Sequence, residues 1–347
     1  MNARSAIGSA VAGCRRLAVA TVAAAVMTAS APPQAGAEEI NSKDIIDAVV
    51  GISSIIPDDA RTAEHLGTSR SGSGIVIDDD GLVLTIGYLI MEATAVAVTD
   101  SSDALVPATL VAYDHNTGFG LLKAKRPLGI KPVKLGSSAA LAEGAPVIVV
   151  SKGGPIPVMP ARVAARREFA GYWEYLLEDA IFTVPPHPQF GGAALIDPSG
   201  RLVGVGSLIV HNAVVAEGQV PGNMFVPIDA LKPIFDDLVE YGRAQAPPHP
   251  WLGVYTDENN GRVFVTRLAA GGPAKDAGIK PGDIIMGVGG RRVTGMADFF
   301  RKVWARGDAG TEVPIDVLPM GAGSLDIRTI TVLSKDRHDW LKMNTGF

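Results

Sequence analysis

The feature that most restricts what this chain can fold into is a run of short apolar segments set close together and separated by turn residues. "GIVIDDDGLVLTIGYLI", "AVAVTD", "LVPATLVAYD", "FGLLKAK" and "APVIVVS" follow one another between residues 74 and 151. Segments this short, rich in β-branched residues and punctuated by Asp-Gly and Gly-Gly pairs, read as strands. Many of them in succession make an all-β barrel or sandwich. Gly 40 and Pro 24 against 19% charged residues agree with strands and turns over long helices. With 347 residues, two or three units with their own cores can form.

Two helices interrupt the β pattern. In "DALKPIFDDLVEYG" (229–242), Ile228, Leu231, Ile234, Phe235 and Leu238 fall on one face and Gly242 is a natural stop. "MADFFRKVWAR" is the second, amphipathic helix. Upstream, "IIDAVVGISSII" reads as a first strand, and "DDARTAEHLGTSRSGSG" as an exposed loop by composition. "RAQAPPHP" (243–250) has three prolines and no apolar periodicity, so it reads as a linker. It separates a unit over 38–242 from a smaller β-rich unit over 251–345.

Residues 1–37 read as a secretory signal peptide. Arg15-Arg16 precedes the apolar run "LAVATVAAAVMTA", and "APPQAGA" ends in an Ala-x-Ala pattern, so cleavage is expected before Glu38. The run is shorter than the ~20 residues that span a bilayer, which argues against an anchor. The Arg-Arg pair leaves twin-arginine export open. Cys14, the only cysteine, precedes the apolar run, unlike the cysteine of a lipoprotein box, and would leave with the signal. The exported product would then hold no disulfide and rely on its core. Losing Arg4, Arg15 and Arg16 leaves 28 Lys+Arg against 36 Asp+Glu, a net charge of −8. A mildly acidic chain without a basic cluster is no candidate for nucleic acid.

Several anchors occur in one order: "SGSGIVID" opening a strand, "KLGSSAALAEGAPVIVV" in mid-unit, "GGAALIDPSGRLVGV", then "FVPIDAL". With them, the region from about Ala48 to Gly242 resembles the trypsin-like protease domain of the HtrA/Deg family of periplasmic proteases. "WLGVY" and "VFVTRLAAGGPAKDAGIKPGDIIMGVGGRRV" resemble that family's PDZ domain. The resemblance implies a chymotrypsin-type double β-barrel followed by one C-terminal PDZ domain. It also implies a Ser-His-Asp triad, whose positions fall here on Tyr88 (in "LTIGYLI", with Thr85 retained), Gly118 (in "NTGFGLL") and Gly191 (in "QFGGAAL").

None of the three can do the triad's work. Glycine has no attacking atom, and a phenol titrating near ~10 is no base at neutral pH. Losing the nucleophile alone typically costs about 10⁶ in turnover. The oxyanion hole that the resemblance implies also needs a glycine where Gln189 stands, after Pro188. The chain therefore reads as a pseudoprotease. The rival reading is an active periplasmic serine endopeptidase with a rearranged site, for which His187 and His115 (beside Asp114) are the candidate bases, although both read as loop histidines. Tyr172, Trp173 and Tyr175 in "AGYWEYLL" read as packing residues, with a groove lining as the alternative. No metal-ligand spacing and no phosphate loop occurs, so no metal and no cofactor are expected.

The PDZ-like unit keeps its working parts. By the resemblance, "WLGV" (Trp251, Leu252, Gly253, Val254) is the loop whose backbone N–H groups hold a peptide's C-terminal carboxylate, and Leu252, Val254, Phe299, Phe300 and Val303 are candidates for its pocket. A bare strand start is the plainer reading of "WLGV". The expected partners are polypeptide C-termini or unfolded segments, bound in a chaperone, adaptor or regulatory role. A homo-oligomer (a trimer, by the resemblance) or a mixed one with an active relative is expected. A structural subunit without peptide affinity is a third reading.

Overall fold

The computed structural model describes residues 41–214, 219–320 and 326–343. The expected signal peptide lies outside these residues, as do the last residues of the expected PDZ unit.

The first barrel consists of β1 (Val49–Ile55), β2 (Ser69–Val76), β3 (Leu82–Ile86), β4 (Ala95–Thr99), β5 (Leu105–Tyr113) and β6 (Phe119–Ala124), closed in the order β1-β2-β3-β6-β5-β4. The second repeats the closure with β7 (Pro146–Val150), β8 (Val158–Gly171), β9 (Tyr175–Val184), β10 (Ala194–Ile196), β11 (Leu202–Val214) and β12 (Val220–Pro227), in the order β10-β11-β12-β9-β8-β7. Closure removes free strand edges. Alternation along strands such as β5, in which Val106, Ala108, Leu110 and Ala112 are buried, fills the barrel interiors.

The third sheet, β13 (Val254–Asn259), β14 (Arg262–Leu268), β15 (Ile284–Val288), β16 (Arg291–Arg292), β17 (Glu312–Leu318) and β18 (Arg328–Leu333), runs in the order β13-β14-β15-β17-β18, with β16 paired to β15. The amphipathic helix Met296–Trp304 packs over it through buried Phe299, Phe300 and Val303. The chain therefore has the all-β double barrel and C-terminal PDZ fold that the sequence predicts.

Three local expectations are corrected. In "IIDAVVGISSII", Ile45 to Asp47 belong to the helix α1 (Ser42–Asp47), capped by the Asn41 side chain, and the strand starts only at Val49. The segment 58–74 is not an exposed loop. It carries α2 (Ala63–Leu66) and β2, and it is drawn inward by Glu92, whose buried carboxylate accepts the N–H groups of Arg61 (3.0 Å) and Thr62 (2.8 Å). The guanidinium of buried Arg70 in turn donates to the carbonyls of Tyr88 and Met91. Residues 228–241 form two 3-10 turns, Ile228–Ala230 and Lys232–Ile234, before α3 (Phe235–Tyr241). Pro233 denies the helix a backbone donor. The expected stop holds, with Gly242 left-handed at φ 75°.

The PDZ sheet is tied to the barrels at both ends. Trp251 pairs with Lys335 and packs, its ring tilted and 4.6 Å away centre to centre, against Trp340 of the helix Arg337–Trp340, beside Met91 and Tyr113 of the first barrel. Beyond that helix, the Lys342 N–H donates to Glu92 at 3.0 Å.

Candidate functional site

The three positions assigned to the triad meet between the barrels. Tyr88 lies in a 3-10 turn closing β3, Gly118 in the turn before β6, and Gly191 in the turn before β10. The Gly87 N–H donates to the Gly118 carbonyl at 2.7 Å, and the Ser73 N–H of β2 donates to the Gly191 carbonyl at 2.8 Å. The 189–192 turn is thus locked to the first barrel. A Cβ on Gly192, at φ 74°, would fall 1.9 Å from the Ser73 carbonyl oxygen, so only glycine fits there.

A tyrosine hydroxyl crowds each of the two glycine positions. The Tyr88 hydroxyl donates to the Ser207 carbonyl at 2.9 Å, and a Cβ added to Gly191 would meet that hydroxyl oxygen at 2.8 Å. Burial pushes the Tyr88 phenol well above its ordinary range, further from base duty at neutral pH. Gly118 sits at φ 81°, and a Cβ there would come within 3.3 Å of the Tyr175 hydroxyl, which donates to the Thr117 carbonyl at 2.6 Å. Any side chain at Gly118 would be strained by backbone and neighbour alike.

The turn's first donor is spent as well. The Gln189 N–H donates to His187 Nδ1 at 3.1 Å, while His187 Nε2 sits 2.8 Å from the Ile156 carbonyl. His187 is fully buried, and desolvation lowers its pKa. Both of its ring nitrogens serve the loop. His115 is occupied too: Nδ1 lies 3.2 Å from the Tyr113 hydroxyl, and Nε2 lies 3.1 Å from the Glu174 carbonyl and 2.9 Å from Arg337. Burial and the adjacent Arg337 charge hold it neutral, far below its usual range.

Beside these positions lies an apolar cavity of about 290 Å³, lined by Tyr88, Gly118, Phe190, Trp173, Tyr175 and Tyr255 among others. Trp173 stacks on Tyr175 with ring centres 5.2 Å apart, so these aromatics are both packing and cavity wall.

The carboxylate loop is built as its residues require. Gly253 is left-handed at φ 77°, with the Gly272 Cα, the Trp251 ring and the Ala269 Cβ all 3.2–3.3 Å from where a Cβ would stand. That conformation turns three consecutive N–H groups inward, and a carboxylate already sits among them. Glu174 Oε1 accepts from Gly253 (2.6 Å) and Val254 (2.8 Å), and Oε2 from Leu252 (3.0 Å). Burial pushes the Glu174 carboxyl up to about 7, against the pull of the three donors and Arg337. Its backbone is left-handed at φ 57°, worth about 1 kcal/mol of strain for a non-glycine residue.

Leu252, Val254, Phe299, Phe300 and Val303 form the PDZ core beneath the loop, with Ala170 and Leu176 of the β8–β9 hairpin packed against them. Trp251 instead anchors the loop to Trp340. The residue that sequence reasoning missed is Glu174. It is remote in sequence from the loop it fills, and an acid between two aromatics carries no local signal.

Comparison with known proteins agrees with this architecture. Residues 72–205 match the trypsin-like peptidase domain and residues 250–322 the PDZ domain. The serine protease PepD of Mycobacterium tuberculosis is 27% identical over 300 residues, covering 79% of this chain and 61% of that protein. A probable periplasmic serine endoprotease DegP-like of Pseudomonas putida is 27% identical over 287 residues, covering 77% and 57%. The chain thus spans about three-fifths of the length of these relatives. A solved form of the HtrA-type protease AlgW with a tripeptide superposes with a TM-score of 0.51 at 21% identity, covering 84% of this chain and 94% of that one. With a trypsin-like double barrel followed by a PDZ domain, and with DegP-like serine proteases among its relatives, this chain belongs to the HtrA/Deg family.

Proposed function

We propose that this protein binds polypeptides without cutting them. Its PDZ loop captures C-termini or extended segments, and its barrels serve as scaffold, chaperone-like surface or oligomerisation platform. The observation that carries the reading is the convergence of the Leu252, Gly253 and Val254 N–H groups on one carboxylate. A peptide C-terminus presents the same chemistry, and the loop needs no titrating side chain to hold it. Hydrolysis, by contrast, lacks a nucleophile at Gly191, a base at Tyr88 and a free donor at Gln189. Relatives named as periplasmic proteases support an exported protein working in that compartment. A homo-oligomer, or a mixed one with an active relative, fits the same reading.

The test pairs a fluorophosphonate probe and unfolded casein with a C-terminal peptide library. No labelling, no cleavage and peptide binding abolished by Gly253→Trp are expected. Stoichiometric labelling with time-dependent cleavage would establish the endopeptidase reading instead, and binding indifferent to Gly253→Trp would point to a structural subunit.

A further inference from the structure

We propose that the β8–β9 hairpin is an internal ligand of the PDZ site, so that an external peptide binds only by displacing it. This rests on the peptide-binding reading above and adds how that site is regulated and what it selects.

The hairpin satisfies the site as an added peptide strand would. Gly171 pairs with Tyr175 across a three-residue loop, Tyr172, Trp173 and Glu174, with the last residue left-handed, as such loops require. That turn aims the Glu174 carboxylate into the loop, where both oxygens are bonded. Two residues before it, the Tyr172 carbonyl accepts the Thr256 N–H of β13 at 2.9 Å. Val254 and Thr256 are alternate residues of β13, so their N–H groups face the same side, the side on which a strand would add. A carboxylate in the loop together with a main-chain carbonyl on the strand beside it is the double signature of a bound C-terminus. Both halves come from this chain.

The occupant's other contacts describe what would replace it. Ala170 and Leu176 pack against the core formed by Leu252, Phe299 and Val303, so the site takes an aliphatic side chain. Arg301 of the PDZ helix holds Glu168 in an ion pair and lies 3.8 Å from Glu178, one acid from each strand of the hairpin. The competing ligand is therefore a peptide with a free terminal carboxylate, an aliphatic last residue and an acidic side chain upstream. Displacement also uncovers the aromatic cavity, because Tyr172 and Trp173 leave its wall with the hairpin.

Glu174→Gln keeps the shape and removes the charge. In the full-length protein it should raise the affinity for a fluorescein-labelled peptide ending Glu-Ala-Leu about 10-fold or more, because the fraction of open sites rises. The C-terminally amidated peptide should not bind either protein. In the unsubstituted protein, adding the free peptide should speed amide hydrogen exchange at residues 172–175 while the 252–254 amides stay protected. Equal affinity of the free peptide for both proteins, or binding that leaves exchange at the hairpin tip unchanged, overturns the internal-ligand proposal alone. Failure of free-carboxylate peptides with both proteins overturns the peptide-binding reading beneath it. The exchange arm needs no substitution, so it decides the matter even where Glu174→Gln folds poorly.

Discussion

The cleft between the barrels and the loop at the head of the PDZ sheet have fared differently. Hydrolysis depends on side chains, and the positions that the family resemblance assigns to them hold Tyr88, Gly118 and Gly191. Carboxylate capture depends on main-chain N–H groups, which the fold presents whatever the neighbouring side chains are. A site made of side chains is erased by point substitution. A site made of backbone persists as long as its loop keeps its shape, here secured by Gly253 at φ 77°. Its loss of availability takes the form of occupation, by Glu174.

The strongest challenge to this contrast is to put the side chains back. Combining Tyr88→His, Gly118→Asp and Gly191→Ser should leave casein cleavage at background, against the ~10⁶ that a working triad is worth. The Gln189 N–H would still point at His187, and the Asp side chain would start from a left-handed backbone. Clear turnover from the triple variant would show that the cleft had lost its side chains and nothing more. Adding Gln189→Gly is the step expected to move the rate first, since a missing hole donor costs about 10²–10³.

A smaller effect sharpens the same point. Gly191→Ser alone should destabilise the fold by about 1–3 kcal/mol in urea unfolding, because its Cβ meets the Tyr88 hydroxyl and displaces the bond to Ser207. Combined with Tyr88→Ala the cost should be strongly non-additive. Additive costs would mean the two positions do not exclude each other.

The smallest expected effect lies outside both regions and tests whether a carboxylate bonded to main chain is acid-sensitive here. Burial works against the Asp229 carboxylate, but Lys232, the Ala139 N–H and the Ser137 and Ser138 hydroxyls outweigh it and hold its pKa below the usual range. A carboxyl more acidic in the folded state than in the unfolded one contributes stability above its ordinary pKa, and that contribution is lost as pH falls below about 4. Asp229→Asn should therefore lower the melting temperature at pH 7 and flatten its decline toward pH 3. Parallel pH profiles for the two proteins would remove Asp229 from the account.

The barrels and the PDZ sheet were legible in the sequence because burial on one face writes a period of two into strands such as β5, and a turn such as Asp80-Gly81 punctuates them. Gly191 and Tyr88 stand in stretches that the family resemblance aligns with the triad, and the fold brings both to the seam between the barrels. What stayed hidden was governed by distant partners. Segment 58–74 looked exposed because it is polar, yet Glu92 gathers its N–H groups from some 30 residues away. The helix over 229–242 failed locally at Pro233, a signal that the apolar periodicity masked. Glu174 reaches a loop 78 to 80 residues further along, and no periodicity records that.

The tie between Lys342 and Glu92 has a mechanical consequence. A domain tethered by one linker answers an arriving partner by swinging. This one is clasped beyond both ends of its sheet, at Trp251 and again past Trp340, so it behaves like a drawer fixed at front and back. On the displacement proposal above, an arriving partner would then push the barrel's own tongue aside and leave the domain where it stands.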